Sequence, residues 1–70
     1  MPLTYEEFHQ FTRELTLALR IKNFRRGQAY YHALFNVNEE LAIEITGNDN
    51  LDPFLLDDNI ERFMRYIQGV

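Results

Sequence analysis

Four cationic side chains fall within seven residues of the first half of the chain, at Arg20, Lys22, Arg25 and Arg26. Backbone amides at a helix N-terminus and guanidinium groups both donate hydrogen bonds to anions, so this segment has the chemistry to bind a phosphate. Tyr30 lies one helical turn beyond Arg26 and can stack on a nucleotide base. However, nucleic-acid-binding domains usually carry a net basic field, and this chain has a net charge of −4. Nucleic-acid binding is therefore the alternative hypothesis.

A protein contact suits the same segment better. Arginine and tyrosine are the residue types that most often contribute large binding energies at protein interfaces. The aliphatic side chains of Leu17 and Ile21 lie off the apolar stripe of the first predicted helix, which predicts that they are either covered or exposed for contact. The leading hypothesis is a non-enzymatic interaction module with an unidentified protein partner, or a homodimer. Its predicted partner-binding residues are Leu17, Ile21, Arg25, Arg26 and Tyr30.

The oxygen-bearing side chains of Asn48, Asn50 and Asp52 imitate the first ligand positions of a calcium-binding loop. The match then fails, because Pro53 stands where the sharp turn needs glycine and Asn59 stands where a bidentate glutamate is needed. Turn and capping roles are therefore expected for these side chains, and no metal site is predicted.

Catalytic chemistry has few candidate groups here. The chain contains neither cysteine nor serine, which removes the usual nucleophiles of covalent hydrolases. The adjacent carboxylates of Asp57 and Asp58 precede a predicted helix, where acidic residues ordinarily cap amides and favour the helix dipole. His9 and His32 have no second ligand at helical spacing. We therefore expect no enzyme activity, no catalytic residues and no cofactor.

The charge is unevenly distributed along the chain. Residues 1–35 contain five cationic and three acidic side chains, whereas residues 36–70 contain two cationic and eight acidic ones. Such a layout can steer a partner or attract two copies head to tail. It also suggests a further alternative, in which the acidic half mimics nucleic acid. That idea depends on the clustering of Asp49, Asp52, Asp57, Asp58 and Glu61.

The first helix is predicted from the cap at Thr4 to about Arg20. Thr4 and Glu7 have the spacing of a capping box, and Leu3 and Phe8 that of a hydrophobic staple. The predicted apolar stripe of this helix contains Phe8, Phe11, Leu15, Ala18 and Leu19.

A second helix is predicted from Phe24 to about Asn36, with Asn23 as its cap. Gly27 lies on the apolar face of that helix, which indicates a close helix–helix approach or a kink. Residues 39–46 fit both a helix capped by Asn38 and a strand. Helix is favoured because no second strand is predicted to pair with it.

Residues 47–50 have loop chemistry, and Asp52-Pro53 is typical of a cap followed by a short turn. Leucines flank the following Phe54, which indicates a folded corner. The last helix is predicted to open near Asp58, with Asp58–Arg62 and Glu61–Arg65 as i,i+4 pairs.

Together these patterns predict an all-α fold, a small bundle of three longer helices and one or two short ones in a single domain over residues 1–70. No apolar run reaches the ~20 residues needed to span a bilayer, and no signal peptide is recognised, so a cytoplasmic protein with no membrane partner is expected. The predicted core consists of Phe8, Phe11, Leu15, Leu19, Phe24, Tyr31, Leu34, Phe35, Leu41, Ile45, Phe54, Ile60, Phe63 and Ile67.

Three sequence features also occur together in a set of short bacterial and bacteriophage proteins. They are a G-Q-x-aromatic helix, at residues 27–30; an acidic L-A-x-x-I segment, at 41–45; and a G-x-D-x-D-P-F-like loop, at 47–54. The chain resembles this set over roughly residues 24–67, with one extra residue in the loop at about Asn50. The resemblance implies a prokaryotic or bacteriophage accessory protein, and it brings no catalytic residue to this chain.

Overall fold

The computed structural model of the protein describes residues 2–21 and 23–69. Within these ranges the chain forms helices α1 (Tyr5–Ala18), α2 (Arg26–Val37), α3 (Glu39–Ile45) and α4 (Ile60–Gln68), with a single 3₁₀ turn (Asp57–Asn59) before α4. The predicted all-α class, with three longer helices and two short elements, is confirmed. Lys22, part of the predicted corner and of the predicted anion site, lies outside the described residues.

Helix α1 begins as predicted. Thr4 Oγ1 accepts from Glu7 N at 3.1 Å and Glu7 Oε1 accepts from Thr4 N at 2.9 Å, which completes the capping box. The helix ends at Ala18, two residues before the predicted end. Leu19 is its C-cap, where the chain turns away from the helix axis, so Leu19 is exposed and its predicted place in the core is wrong.

Helix α2 begins later than predicted, after Arg25 as N-cap; the predicted cap, Asn23, lies in the preceding turn. The buried face of α2 is built on Ala29, Ala33 and Leu34. These small residues turn the helix so that Phe35 is exposed, contrary to the prediction.

Residues 39–45 are helical. Asn38 Oδ1 accepts from Leu41 N at 3.0 Å, and Gly47 follows the helix with a φ of 80°, which only glycine adopts without strain. The prediction of helix rather than strand is therefore confirmed.

The core draws side chains from all four helices. Its fully buried members include Phe11 from α1 and Phe63 from α4, whose ring centroids lie 6.1 Å apart. The structure confirms the predicted core positions of several residues and adds two alanines from α2 and α3. The buried cluster consists of Phe11, Ala33, Leu34, Leu41, Ala42, Ile45, Phe63 and Ile67.

Residues 46–59 connect α3 to the last helix through consecutive turns. Of the two ion pairs predicted on α4, Glu61–Arg65 forms, with 3.8 Å between oxygen and nitrogen. Arg62 donates instead to Asn59 Oδ1 and to the carbonyl of Asn50, so the predicted Asp58–Arg62 pair is wrong. None of the helices in the described ranges is long and apolar enough to cross a membrane.

Candidate functional site

The most exposed apolar stretch of the connection is Phe54, Leu55 and Leu56, which we call the 54–56 segment. These three side chains are 48, 47 and 56% exposed. Single exposed apolar residues are ordinary on protein surfaces, but contiguous ones are typical of contact sites. The predicted folded corner is therefore present, whereas the predicted burial of Phe54 is wrong.

Asp52 organises the turn that leads into this segment. Its side chain is buried, with Oδ2 accepting from Gly47 N at 2.8 Å and Oδ1 accepting from Phe54 N at 2.9 Å. The carbonyl of Asp52 also accepts from Leu55 N at 3.2 Å. The Asp52 carboxylate therefore joins the two ends of the loop and fixes the backbone of Phe54.

Arg25 attaches the far side of the segment to the start of α2. Its guanidinium group donates from Nε to Asp57 Oδ1 at 2.8 Å and from Nη2 to the carbonyls of Pro53, at 3.1 Å, and Phe54. A group that donates to three oxygens of its own chain has less capacity left for a phosphate or a partner carboxylate. The structure thus gives this predicted site residue an internal role.

Gly27 lies where α2 touches the loop. Its amide donates to Asp57 Oδ1 at 2.9 Å, and a Cβ atom at this position would lie 2.0 Å from the carbonyl oxygen of Pro53. The predicted close approach is therefore present, but it is made with the loop before α4 and not with another helix. No side chain larger than that of glycine fits there.

Asp57 is the shared acceptor of these contacts. The hydrogen bond from Arg25, followed by that from the Gly27 amide, lowers the pKa of its carboxyl group below the ordinary value. The ionised form is the one that both donors stabilise. Asp57 is therefore a structural carboxylate that joins α2 to the loop, and not one half of a free carboxylate pair with Asp58.

Asn59 holds the loop from its other side. Its side chain is fully buried and its Nδ2 donates to the carbonyls of Asp49 and Asp52, each at 2.9 Å, while its Oδ1 accepts from Arg62 at 2.7 Å. Asn59 is the N-cap residue of α4, but its side chain makes no cap bond there. The 54–56 segment is consequently supported by polar side chains on both flanks.

The apolar surface continues from the 54–56 segment onto α2. The ring of Phe54 meets that of Tyr31 edge to face at 5.7 Å, and Tyr31 lies 6.3 Å from the exposed ring of Phe35. The Tyr31 hydroxyl is hydrogen-bonded to Thr46 Oγ1 at 2.6 Å. Together with the 54–56 segment, Tyr31 and Phe35 form what we call the aromatic surface.

The predicted partner-binding residues differ in how accessible the structure leaves them. Leu17 and Ile21 are exposed, as one of the two predicted alternatives required. Tyr30 is partly buried and packs against the core, with its ring 6.4 Å from Phe11 and 6.2 Å from Phe63. The guanidinium group of Arg26 lies 6.0 Å from the centre of the Tyr30 ring.

Two of the five acidic residues named for nucleic-acid mimicry have internal roles, whereas Asp57, Asp58 and Glu61 line one groove together with Arg26. Asp52 is buried within its loop, and Asp57 is paired with Arg25. Asn48 Oδ1 accepts from the amides of Asn50 and Leu51, so the residues resembling a calcium loop are engaged in a turn, as predicted. In the described ranges, no group of three His, Asp or Glu side chains could hold a metal ion.

Comparison of the chain with protein-family models, with curated protein sequences and with solved structures finds no match.

Sequence reasoning misses the aromatic surface because it assigns Phe35 and Phe54 to the core. One available signal is the apolar run at residues 54–56, which follows a turn-forming Asp-Pro and precedes two acids. Three consecutive apolar residues in a turn cannot all face one core, so at least part of such a run is expected to reach the surface.

Proposed function

We propose that the protein is a non-enzymatic protein-interaction module that binds its partner through the aromatic surface. The observation that carries this proposal is that the 54–56 segment is exposed while its backbone is held by Arg25 and Asp52. A partner that binds an ordered segment avoids much of the entropic cost of ordering a flexible one. Exposed apolar side chains on a well-ordered loop are therefore suited to contact.

The chemistry of the partner follows from what surrounds the segment. Leu55 and Leu56 line a shallow groove together with Asp57, Asp58 and Arg25. Because Asp57 is paired internally with Arg25, Asp58 is the carboxylate in this groove that remains for a partner. The best-matched partner surface is an apolar pocket with a basic residue at its rim, since interface cores are apolar and their rims are polar.

The resemblance to short bacterial and bacteriophage proteins supports a more specific setting. We propose a phage or bacterial accessory protein that acts in the cytoplasm by modulating a host protein. Small size and an exposed hydrophobic loop suit this role, because binding needs only a contact surface and no catalytic machinery.

The test compares two double variants in which exposed aliphatic side chains are replaced by asparagine. The tagged wild-type chain, Leu55→Asn/Leu56→Asn and the control Leu19→Asn/Ile21→Asn, at two similarly exposed positions, are used to capture proteins from a bacterial lysate, and the captured proteins are quantified by mass spectrometry. We expect a partner that the 55/56 variant loses by at least about tenfold and the control retains, since desolvated apolar side chains dominate such contacts.

A photo-crosslinking amino acid at position 55 provides the second measurement. It should crosslink to the same partner, whereas the same group at Gln68 should not. Capture that is unchanged in the 55/56 variant would place the contact elsewhere. Failure of both capture and crosslinking to recover any partner would overturn the proposal.

A further inference from the structure

A second surface, away from the aromatic surface, follows helix α1. Three shallow grooves lie along it: a basic one near the end of α1, a central one, and an acidic one beside α3. Arg13 and Leu17 line both the basic and the central groove, and Val37 lines both the central and the acidic groove. The grooves therefore form one continuous face, which we call the charged face. It extends from Arg20 near the end of α1 to Ile43 on α3.

One end of the charged face is basic and apolar. Arg13, Thr16, Leu17 and Arg20 line the groove there, and Leu17 is 58% exposed. No ion pair involves Arg13 or Arg20 within residues 2–21 and 23–69. This end therefore presents two cations beside an exposed leucine.

The other end is acidic and apolar. Glu39 and Glu40 lie in the first turn of α3 and line a groove with Ile43, which is 57% exposed. Glu7 lines the same groove, although its carboxylate already accepts from the Thr4 amide. This end has the charge opposite to that of the first, together with a matching apolar side chain.

The middle of the face is polar and nearly neutral. Gln10 and Asn36 line the central groove, and Asn36 Nδ2 donates to Glu14 Oε1 at 3.1 Å. Arg13 and Glu14 both line this groove, so it contains one cation and one anion. Two such centres can therefore face each other at low electrostatic cost.

We propose that the charged face is the contact surface of a closed, two-fold homodimer. In this dimer Arg13, Leu17 and Arg20 of one copy lie against Glu39, Glu40 and Ile43 of the other. A two-fold axis through the centre of the face brings the basic end of each copy against the acidic end of the other. In an isologous interface every contact between residue i of one copy and residue j of the other occurs twice. The second copy is thus a partner whose charges complement this face at both ends.

The dimer is expected to be weak and sensitive to salt. From Glu7 to Ala18 the face follows about 16 Å of α1, at about 1.5 Å per residue. A stable interface usually buries about 800 Å² on each partner, more than so narrow a strip provides. Much of the attraction is between exposed charges, which salt screens.

Sedimentation equilibrium of the purified chain tests this, at about 0.02 M and about 0.5 M salt to vary the screening. We expect a monomer–dimer equilibrium whose Kd rises at least about tenfold at the higher salt. Arg13→Glu/Arg20→Glu should weaken dimerisation at low salt by at least about tenfold, and Glu39→Arg/Glu40→Arg should do the same.

Mixing the two charge-reversed variants gives the discriminating result. In the mixed pair both ends are again oppositely charged, so the heterodimer should form with a Kd within about threefold of the wild-type value, apart from steric differences. The variant with all four charges reversed should likewise dimerise with itself. Circular dichroism confirms that each variant is folded.

A matched control separates the face from net charge. Arg26→Glu/Arg65→Glu changes the net charge by the same amount as Arg13→Glu/Arg20→Glu, but at exposed sites away from this face, and should change the Kd less than about threefold, a difference below about 1 kcal/mol. A wild-type chain that stays monomeric at every concentration, species larger than a dimer, or a mixture that fails to associate would each overturn the proposal. These measurements leave the 54–56 segment unchanged, so their failure would not affect the proposed function.

Discussion

The two exposed apolar surfaces of this protein are built in different ways. On α1, Leu17 is displayed by a regular helix whose backbone bonds are local and whose capping residues, Thr4 and Glu7, are three positions apart. The 54–56 segment is displayed by a turn whose supporting bonds include Arg25 to Asp57, 32 residues apart. A helical face tolerates the loss of any one side chain, whereas the loop surface depends on a few polar groups. Remote substitutions should therefore damage the second surface and leave the first unchanged.

The largest effect is expected from Gly27→Ala. The added Cβ would lie 2.0 Å from the Pro53 carbonyl oxygen, so α2 and the loop must separate. The gain in helix propensity, about 1 kcal/mol, is smaller than the cost of relieving the clash, because the separation also disrupts the hydrogen bond from the Gly27 amide to Asp57. We expect the free energy of unfolding to fall by about 3 kcal/mol in urea denaturation.

Gly47→Ala is the matched control for that experiment. Gly47 has a positive φ, but nothing lies within 4 Å of the position that its Cβ would take. Its substitution should therefore cost only the backbone strain, about 1 kcal/mol. Equal losses at the two glycines would contradict the close approach of Gly27 to the loop.

Asn59→Ala is expected to cost about 2 kcal/mol, because it leaves the carbonyls of Asp49 and Asp52 without their side-chain donor in a buried position. Asn59→Asp keeps the acceptor for Arg62 and removes both donations, so it separates the two roles. Stability in urea should be lost in both variants. Retention of full stability in Asn59→Asp would show that the loop does not depend on the amide donors.

The contrast between local and distant support also determines what the sequence can predict. The caps at Thr4 and Asn38 and the stop at Gly47 depend on residues a few positions apart, so local patterns are sufficient for them. The hydrophobic pattern places Phe35 on the wrong face, because Ala29 and Ala33 decide which side of α2 is buried and small residues carry little weight in such a pattern. The parts of the fold that sequence predicts are thus those stabilised by residues a few positions apart in the chain.

The candidate site is less predictable for the same reason. Arg25 stands out as a surface cation because a charge run is visible in sequence, but its partners Pro53, Phe54 and Asp57 are about thirty residues away. Asp57 and Asp58 have the sequence pattern of helix caps because they precede α4. No local signal distinguishes a cap from a side chain that bonds a distant segment.

Arg25→Ala should affect the two surfaces unequally. The Arg25–Asp57 pair is partly exposed, so solvent screening limits its direct contribution, and we expect a loss of about 1 kcal/mol, including the bonds to the two carbonyls. Hydrogen exchange provides the sharper measurement. The amides of Phe54 and Leu55 should exchange faster, whereas those in the middle of α1 should be unchanged. Equal acceleration in both regions would contradict a local role.

Acid should weaken the same support. The pKa of Asp57 is lowered in the folded protein, so its contribution to stability is present above the unfolded value of about 3.9 and is lost as pH falls through the lower folded value. The difference in unfolding free energy between wild type and Asp57→Asn should therefore be constant near neutrality and shrink below about pH 4. Urea titrations of both proteins at a series of pH values measure this difference. A difference that grows on acidification would contradict a lowered pKa of Asp57 in the folded protein.

The smallest expected change tests whether the exposed segment is kept for contact rather than for folding. Leu55 and Leu56 are about half exposed, and neither belongs to the packed core. Leu55→Asn/Leu56→Asn should thus change the free energy of unfolding by less than about 0.5 kcal/mol per site, the range typical of surface substitutions, in urea denaturation. A loss of several kcal/mol would mean that the two leucines pack against the loop and stabilise the fold. The apolar side chains of the aromatic surface would then be explained by folding rather than by binding. Unchanged stability would support the proposed contact role, because it would show that the fold does not depend on these two side chains.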